Sequence, residues 1–302
     1  MKFDPKIIVS IGVVFVSFSA ILTKMSDAPP LIIAAYRLAF TVLLLLPAVI
    51  KSKIPEIKNI DKKSFNICMI SGVFLALHFA TWITSISYTS IASAVVLVNT
   101  HPIFIVIASY LLFKEKVSRK AFAGIMIAIV GSIIISTGNS TLGTNVLLGD
   151  ILALLGAVFI AGYLLIGRVA RQKLTVTTYT FLVYLSSLIT LLIMVLIAEI
   201  PLFPYSGKDL LIFLGLAVFC TLLGHSIFNW ALAHVTPTFI STAVLGEPVG
   251  AIIWAMIFFA EFPTLWQYAG SGIIMLGIYI YSKYNDVGQK RIKNTEAILE
   301  NR

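Results

Sequence analysis

The chain has 302 residues, 59% of them apolar and 12% charged, with a mean hydropathy of +1.00, and this balance excludes a soluble globular protein. Its formal charge of +9 does not point to nucleic acid, because the basic residues sit in short connections and a terminal tail. Cys68 and Cys220 both fall inside apolar runs and read as unpaired packing residues, so neither a disulfide nor a metal or cofactor site is expected.

Ten apolar segments follow in chain order: 7–23, 30–50, 66–87, 91–113, 120–138, 149–167, 176–198, 209–233, 238–260 and 265–283. Each is long enough to cross roughly 30 Å of hydrocarbon as a helix. The alternating stretches of about ten residues that barrel strands would need are missing. The expected class is therefore an all-α membrane protein with ten transmembrane helices. Lys2 and Lys6 before the first segment imitate a signal peptide, but that segment has a counterpart in the second half and is expected to be retained. Turn signals separate the segments at Asp27-Ala28-Pro29-Pro30, Gly138-Asn139-Ser140, Thr236-Pro237 and Phe262-Pro263. Residues 285–302 are polar without an apolar period and read as a mobile cytoplasmic tail.

The basic residues orient the chain. With the amino terminus inside, nineteen of the 22 Lys and Arg lie on the cytoplasmic side, Lys24 and Lys208 lie outside, and Arg37 lies within a helix. That bias places both termini in the cytoplasm and the protein in the cell membrane.

The sequence also repeats. A shift of 146 aligns Val98 with Val244, Pro102 with Pro248, Glu115 with Glu261, Gly124 with Gly270 and Gly131 with Gly277, without a gap. A shift of 144 pairs Gly12 with Gly156 and Phe15 with Phe159. Residues 1–140 and 141–284 thus form two five-helix repeats. Five is odd, so the halves run in opposite senses through the bilayer. The loop charges agree: the connection from Lys114 to Lys120 is basic, and its equivalent from Ala260 to Trp266 has no cation. Inverted repeats of this kind point to a secondary transporter working by alternating access.

Two five-helix repeats, with Ala35-Tyr36-Arg37-Leu38 in helix 2, Pro102 followed by Glu115 and Gly124, and Glu247-Pro248 followed by Glu261 and Gly270, resemble the EamA-type drug/metabolite transporters. The resemblance covers about residues 5–285. It implies carriage of amino acids or other small metabolites, including efflux, through a cavity lined mainly by helices 1, 3, 4, 6, 8 and 9. His101 departs from the family pattern and is a candidate marker of this chain's own substrate.

Glu247 is the main candidate site residue. It lies at least about 14 Å from either end of its segment, beyond the reach of snorkelling. A carboxylate at that depth costs on the order of 3 kcal/mol and usually faces a wet cavity. It suits a bound proton or amine; the alternative is a partner for the backbone freed at Pro248. Ala243, Gly250 and Ala251 on its face leave room for a ligand, with Trp254 on the same side. His101, at the repeat-related position before Pro102, is either a proton relay or a satisfied interhelical histidine. Asn99 falls off that face and is expected to serve carbonyls freed by Pro102. His78, Trp82 and Ser85 form a stripe on helix 3, and His225, Asn229 and Trp230 form one on helix 8, either facing each other across the cavity or simply packing. Arg37 either meets a substrate carboxylate or snorkels outward, and the anchoring reading is preferred. Glu115 and Glu261 at segment ends read as capping or pairing residues. Ala153, Ala157 and Ala161, and the glycine pairs 124 and 131, 270 and 277, read as close-packing surfaces that leave a homodimer open.

The leading function is a secondary transporter of a small metabolite, with the lipid bilayer as its surroundings and proton coupling at Glu247 available to it. Helices 4 and 9 would bend at Pro102 and Pro248. An intramembrane enzyme using Glu247 and the histidines is the competing class, although no His-Glu-x-x-His motif occurs; a passive facilitator is a third. The absence of a phosphate-binding loop argues against ATP-driven transport by this chain alone.

Overall fold

Helix termini in this chain are set by polar residues that meet water at the ends of apolar runs. Asp4 accepts the backbone N–H of Lys6 ahead of Pro5, and Asp61, Asn145, Ser206 and Thr236 each cap the helix that follows. In the computed structural model, which describes residues 4–300 apart from 90, 138–143, 260, 261 and 263, every regular element is helical. The order is α1 (Pro5–Val16), α2 (Ser19–Met25), α3 (Pro30–Ser52), α4 (Ile54–Lys58), α5 (Lys62–Tyr88), α6 (Ile91–Val98), α7 (His101–Phe113) and α8 (Arg119–Thr137). Then follow α9 (Val146–Ala170), α10 (Val176–Ile197), α11 (Gly207–Gly215), a π-helical stretch (Leu216–His225), α12 (Ser226–Ala231), α13 (Pro237–Val244), α14 (Glu247–Phe259) and α15 (Leu265–Glu300).

Among the described residues, eight spans are long and apolar enough to cross a membrane: Pro5–Met25, Pro30–Ser52, Lys62–Tyr88, Ser93–Phe113, Val146–Ala170, Val176–Ile197, Gly207–Ala231 and Pro237–Phe258. Four of them are not plain α-helices. The first breaks at Ser17 and Phe18, the fourth at Asn99 and Thr100, the eighth of these at Leu245 and Gly246, and the seventh widens into the π stretch. Pro102 and Pro248 each occupy the second position of the helix that restarts after a break, where a missing N–H costs nothing.

α8 packs against the first half of α15. A Cβ built on Gly131 would lie 2.7 Å from the Gly270 carbonyl oxygen, and one on Gly277 would lie 2.6 Å from that of Gly124. Only hydrogen fits at those crossings, so the glycine surfaces are consumed within the chain. Contact of 124 with 277 and of 131 with 270 also means that the two helices run antiparallel.

Polar bonds tie the ends. Glu115 pairs with Arg168 at 2.6 Å, and the same guanidinium lies over the Phe113 ring. Glu56 accepts from both the backbone N–H and the hydroxyl of Thr175, joining the connection before α5 to the start of α10. The expected polar tail after residue 285 is helical instead, as α15 continues to Glu300; the run from Gln289 to Glu300 holds no proline or glycine to stop it. Glu261, Pro263 and the turn at Gly138-Asn139-Ser140 lie outside the described residues.

Candidate functional site

The helix breaks supply the site. At each break the chain cannot continue its i to i−4 ladder, so polar side chains enter where a regular helix would present only one face. His101 heads α7 and Glu247 heads α14, and both line a cavity of about 50 Å³ in the interior of the bundle. Val98 and Val244, another repeat-related pair, line it too. Ser19 comes from the start of α2, Arg37 from α3, His78, Phe79 and Trp82 from α5, Ile160 and Leu164 from α9, and His225 from the end of the π stretch.

Each imidazole is held by the backbone. His78 Nδ1 lies 2.9 Å from the Gly156 carbonyl, and His101 Nδ1 lies 3.0 Å from that of Val98. A carbonyl only accepts, so both rings carry their proton on Nδ1 and offer an unprotonated Nε2 when neutral. The His78 ring stacks parallel on Trp82, 6.2 Å between centroids.

Arg37 is fully buried, which corrects the expectation that it snorkels outward. Its Nε donates to Thr221 Oγ1 at 2.7 Å, its Nη1 to Ser19 Oγ at 3.2 Å, and its plane lies 4.2 Å from the Phe79 ring centroid. The π stretch makes this possible. Thr221 Oγ1 donates to the Leu216 carbonyl five residues back, which leaves its lone pairs for the guanidinium. Glu247 faces the same cavity, feels the Arg37 charge, and receives no hydrogen bond from any described residue.

Six of the sequence candidates therefore meet: Glu247, His101, His78, Trp82, His225 and Arg37. Three do not line the cavity. Asn229 is buried beneath it, accepting from the Tyr163 hydroxyl at 2.7 Å and donating to that of Tyr184 at 3.2 Å. Trp230 packs on His234 near the end of its span. Trp254 stacks on Phe18 at 4.1 Å and donates to Ser17 Oγ at 2.8 Å, sealing the α1–α2 break against α14. The room expected beside Gly250 is filled by the same serine, 2.4 Å from where a Cβ would stand. Asn229 and Trp254 share a helix face with His225 and Glu247, but what they meet on that face is Tyr163 and Ser17 rather than the cavity.

Asn99 and Ser19 line the cavity without having been singled out for it. The face that excluded Asn99 was counted from His101 through the break, where the 100° step does not hold. Its Nδ2 has no partner, so it does not serve the carbonyls freed near Pro102.

Comparison with known proteins agrees with this architecture. The model of the EamA-like transporter family matches residues 6–137 and again 147–283. An uncharacterized transporter of Archaeoglobus fulgidus is 28% identical over 289 residues, covering 91% of this chain and 97% of its own length. The pseudopaline exporter CntI of Pseudomonas aeruginosa is 24% identical over 227 residues, covering 74% and 77%. A crystal structure at 16% identity superposes with a TM-score of 0.76 over 93% of this chain and 97% of its own, a likeness of fold. With its two matches spanning nearly the whole sequence, this chain belongs to the EamA-like transporter family and is a multi-pass membrane transporter.

Proposed function

We propose that the chain is a secondary-active transporter that moves a small metabolite, an amino acid, amine or similar molecule, by alternating access across the cell membrane. The observation that carries this reading is the pairing of His101 with Glu247. They lie 146 residues apart, each directly before a proline at a break in mid-span, and both line one interior cavity. Discontinuous helices around a central site are how such carriers bind a polar solute within lipid. The ten-span count adds α8 and α15 to the eight spans already described. An axis in the membrane plane relating repeats 1–140 and 141–284 would exchange Gly124 with Gly270 and Gly131 with Gly277. The close contacts of 124 with 277 and 131 with 270 are those that such an exchange requires, which supports the inversion. Glu247 is the proposed proton site, and the exporter among the relatives supports efflux.

The test is transport in proteoliposomes, using a solute first selected by thermal shift from amino acids and amines. An imposed pH gradient should drive its accumulation, and Glu247→Gln should cut accumulation at least tenfold while sparing solute exchange. Accumulation that persists in that variant would remove Glu247 from coupling. Failure of the wild type to move any solute against a gradient would favour a passive facilitator.

A further inference from the structure

Five buried polar atoms without a hydrogen-bond partner belong to residues that line the cavity: Arg37 Nη2, Trp82 Nε1, Asn99 Nδ2, His101 Nε2 and His225 Nδ1. A native fold rarely leaves such groups orphaned, and a cluster of them on the residues around one space marks what that space is built to hold. Their chemistry sorts them. The first three can only donate, and one of them belongs to a full positive charge. His101 Nε2 is left as an acceptor by the bond of its Nδ1 to Val98. Arg37, Trp82 and Asn99 are each at least nine-tenths buried, so bulk water does not satisfy them.

Arg37 is also pre-set. Thr221 holds Nε, Ser19 holds Nη1 and Phe79 holds the plane, so the guanidinium is fixed with its Nη2 unpaired. Glu247 does not close on it: among the described residues no ion pair joins the two. We infer that the transported molecule carries a carboxylate and that Arg37 receives it, with Asn99 Nδ2 and Trp82 Nε1 as the neutral donors beside it. This rests on the reading of the cavity as the transport site.

Other ligand classes fit less well. A neutral amide would leave the buried guanidinium without a counter-charge at its open edge. A phosphate dianion calls for more than one cation, and Arg37 is the one permanent cation among the lining residues, with the Glu247 carboxyl in the same cavity. Charge balance then adds a condition. When the carboxylate docks, Glu247 must either take a proton or meet a cationic nitrogen on the same molecule.

The experiment uses the purified full chain in detergent, with acetate as the carboxylate probe, acetamide as its neutral isostere and chloride at matched ionic strength. Acetate should raise the unfolding temperature by about 2 °C over chloride, by mass action on the folded state, and acetamide should not. Arg37→Gln should remove the rise. Trp82→Phe, which keeps the ring and loses the donor, and Arg37→Lys, which keeps the charge and loses the fork, should each at least halve it; they decide the matter if Arg37→Gln does not fold. Equal effects of acetate and acetamide on the wild type, or a rise unchanged in the variants, overturn the assignment. Because no transport is measured, failure here with intact proteoliposome transport removes the carboxylate alone, while loss of wild-type transport removes the parent reading.

Discussion

Tyr163, Tyr184 and Asn229 show how single polar residues persist in a chain this apolar. The amide accepts from one hydroxyl and donates to the other, so burial of all three leaves these contacts satisfied. Tyr163→Phe should therefore lower stability by about 1–3 kcal/mol, the cost of an orphaned acceptor, measured by thermal unfolding in detergent; an unchanged melting temperature would mean that Asn229 finds another donor. Carboxylates outside the membrane follow a different logic. Hydrogen bonds from Ser64 hold Asp61 below the usual carboxylate range. Burial pushes Glu56 up, but the bonds from Thr175 outweigh it and its net shift is also downward. A depressed carboxylate stabilises the fold above its unfolded-state value and loses that contribution as pH falls through the folded-state value. Melting temperature should accordingly drop as pH falls into and below the carboxylate range, and Glu56→Gln should flatten the drop. An identical profile in the variant would contradict this. At this scale Glu247 and His101 were legible because an ionisable residue before a proline stands out in an apolar run. Arg37 was not, since its distance from the helix end says nothing about which way the side chain turns.

Helices carry the next layer. The crossing of α8 and α15 depends on four glycines whose register is visible as an ungapped repeat. Gly131→Val should destabilise by about 1–3 kcal/mol through overpacking against Gly270 and Ile274. Gly272→Ala on α15, with open space around its Cβ, should be neutral or mildly stabilising. Thermal unfolding of the two variants checks both, and equal losses would contradict the packing account. The breaks in the fourth span and in Pro237–Phe258 were legible from proline. Those in the first and seventh spans were not. Ser17-Phe18-Ser19 contains no helix breaker, and the π stretch from Leu216 to His225 holds no proline, its one glycine, Gly224, lying near its end. At both places a neighbour bonds the irregular turn, Trp254 to Ser17 and Arg37 to Thr221, contacts which no local pattern encodes.

At the level of the whole molecule, the long apolar runs and basic loops made the multi-pass class plain, while sharing a helix face with a cavity residue, as Asn229 does with His225 and Trp254 with Glu247, did not decide which neighbour a side chain meets. The orientation is checked by a reporter fused after Arg302: a fluorescent protein that folds only in the cytoplasm should be bright, and a dark fusion would reverse the assignment. The proposal of alternating access is tested most directly by thiol labelling of the cavity. Val98→Cys and Val244→Cys place repeat-related thiols in its lining, in a background where the buried Cys68 and Cys220 are replaced by alanine. Leu43→Cys on the lipid-facing surface serves as the control. A membrane-impermeant reagent should label both cavity thiols in right-side-out and in inside-out vesicles and leave the control untouched; labelling from one side only, or from neither, would contradict the account.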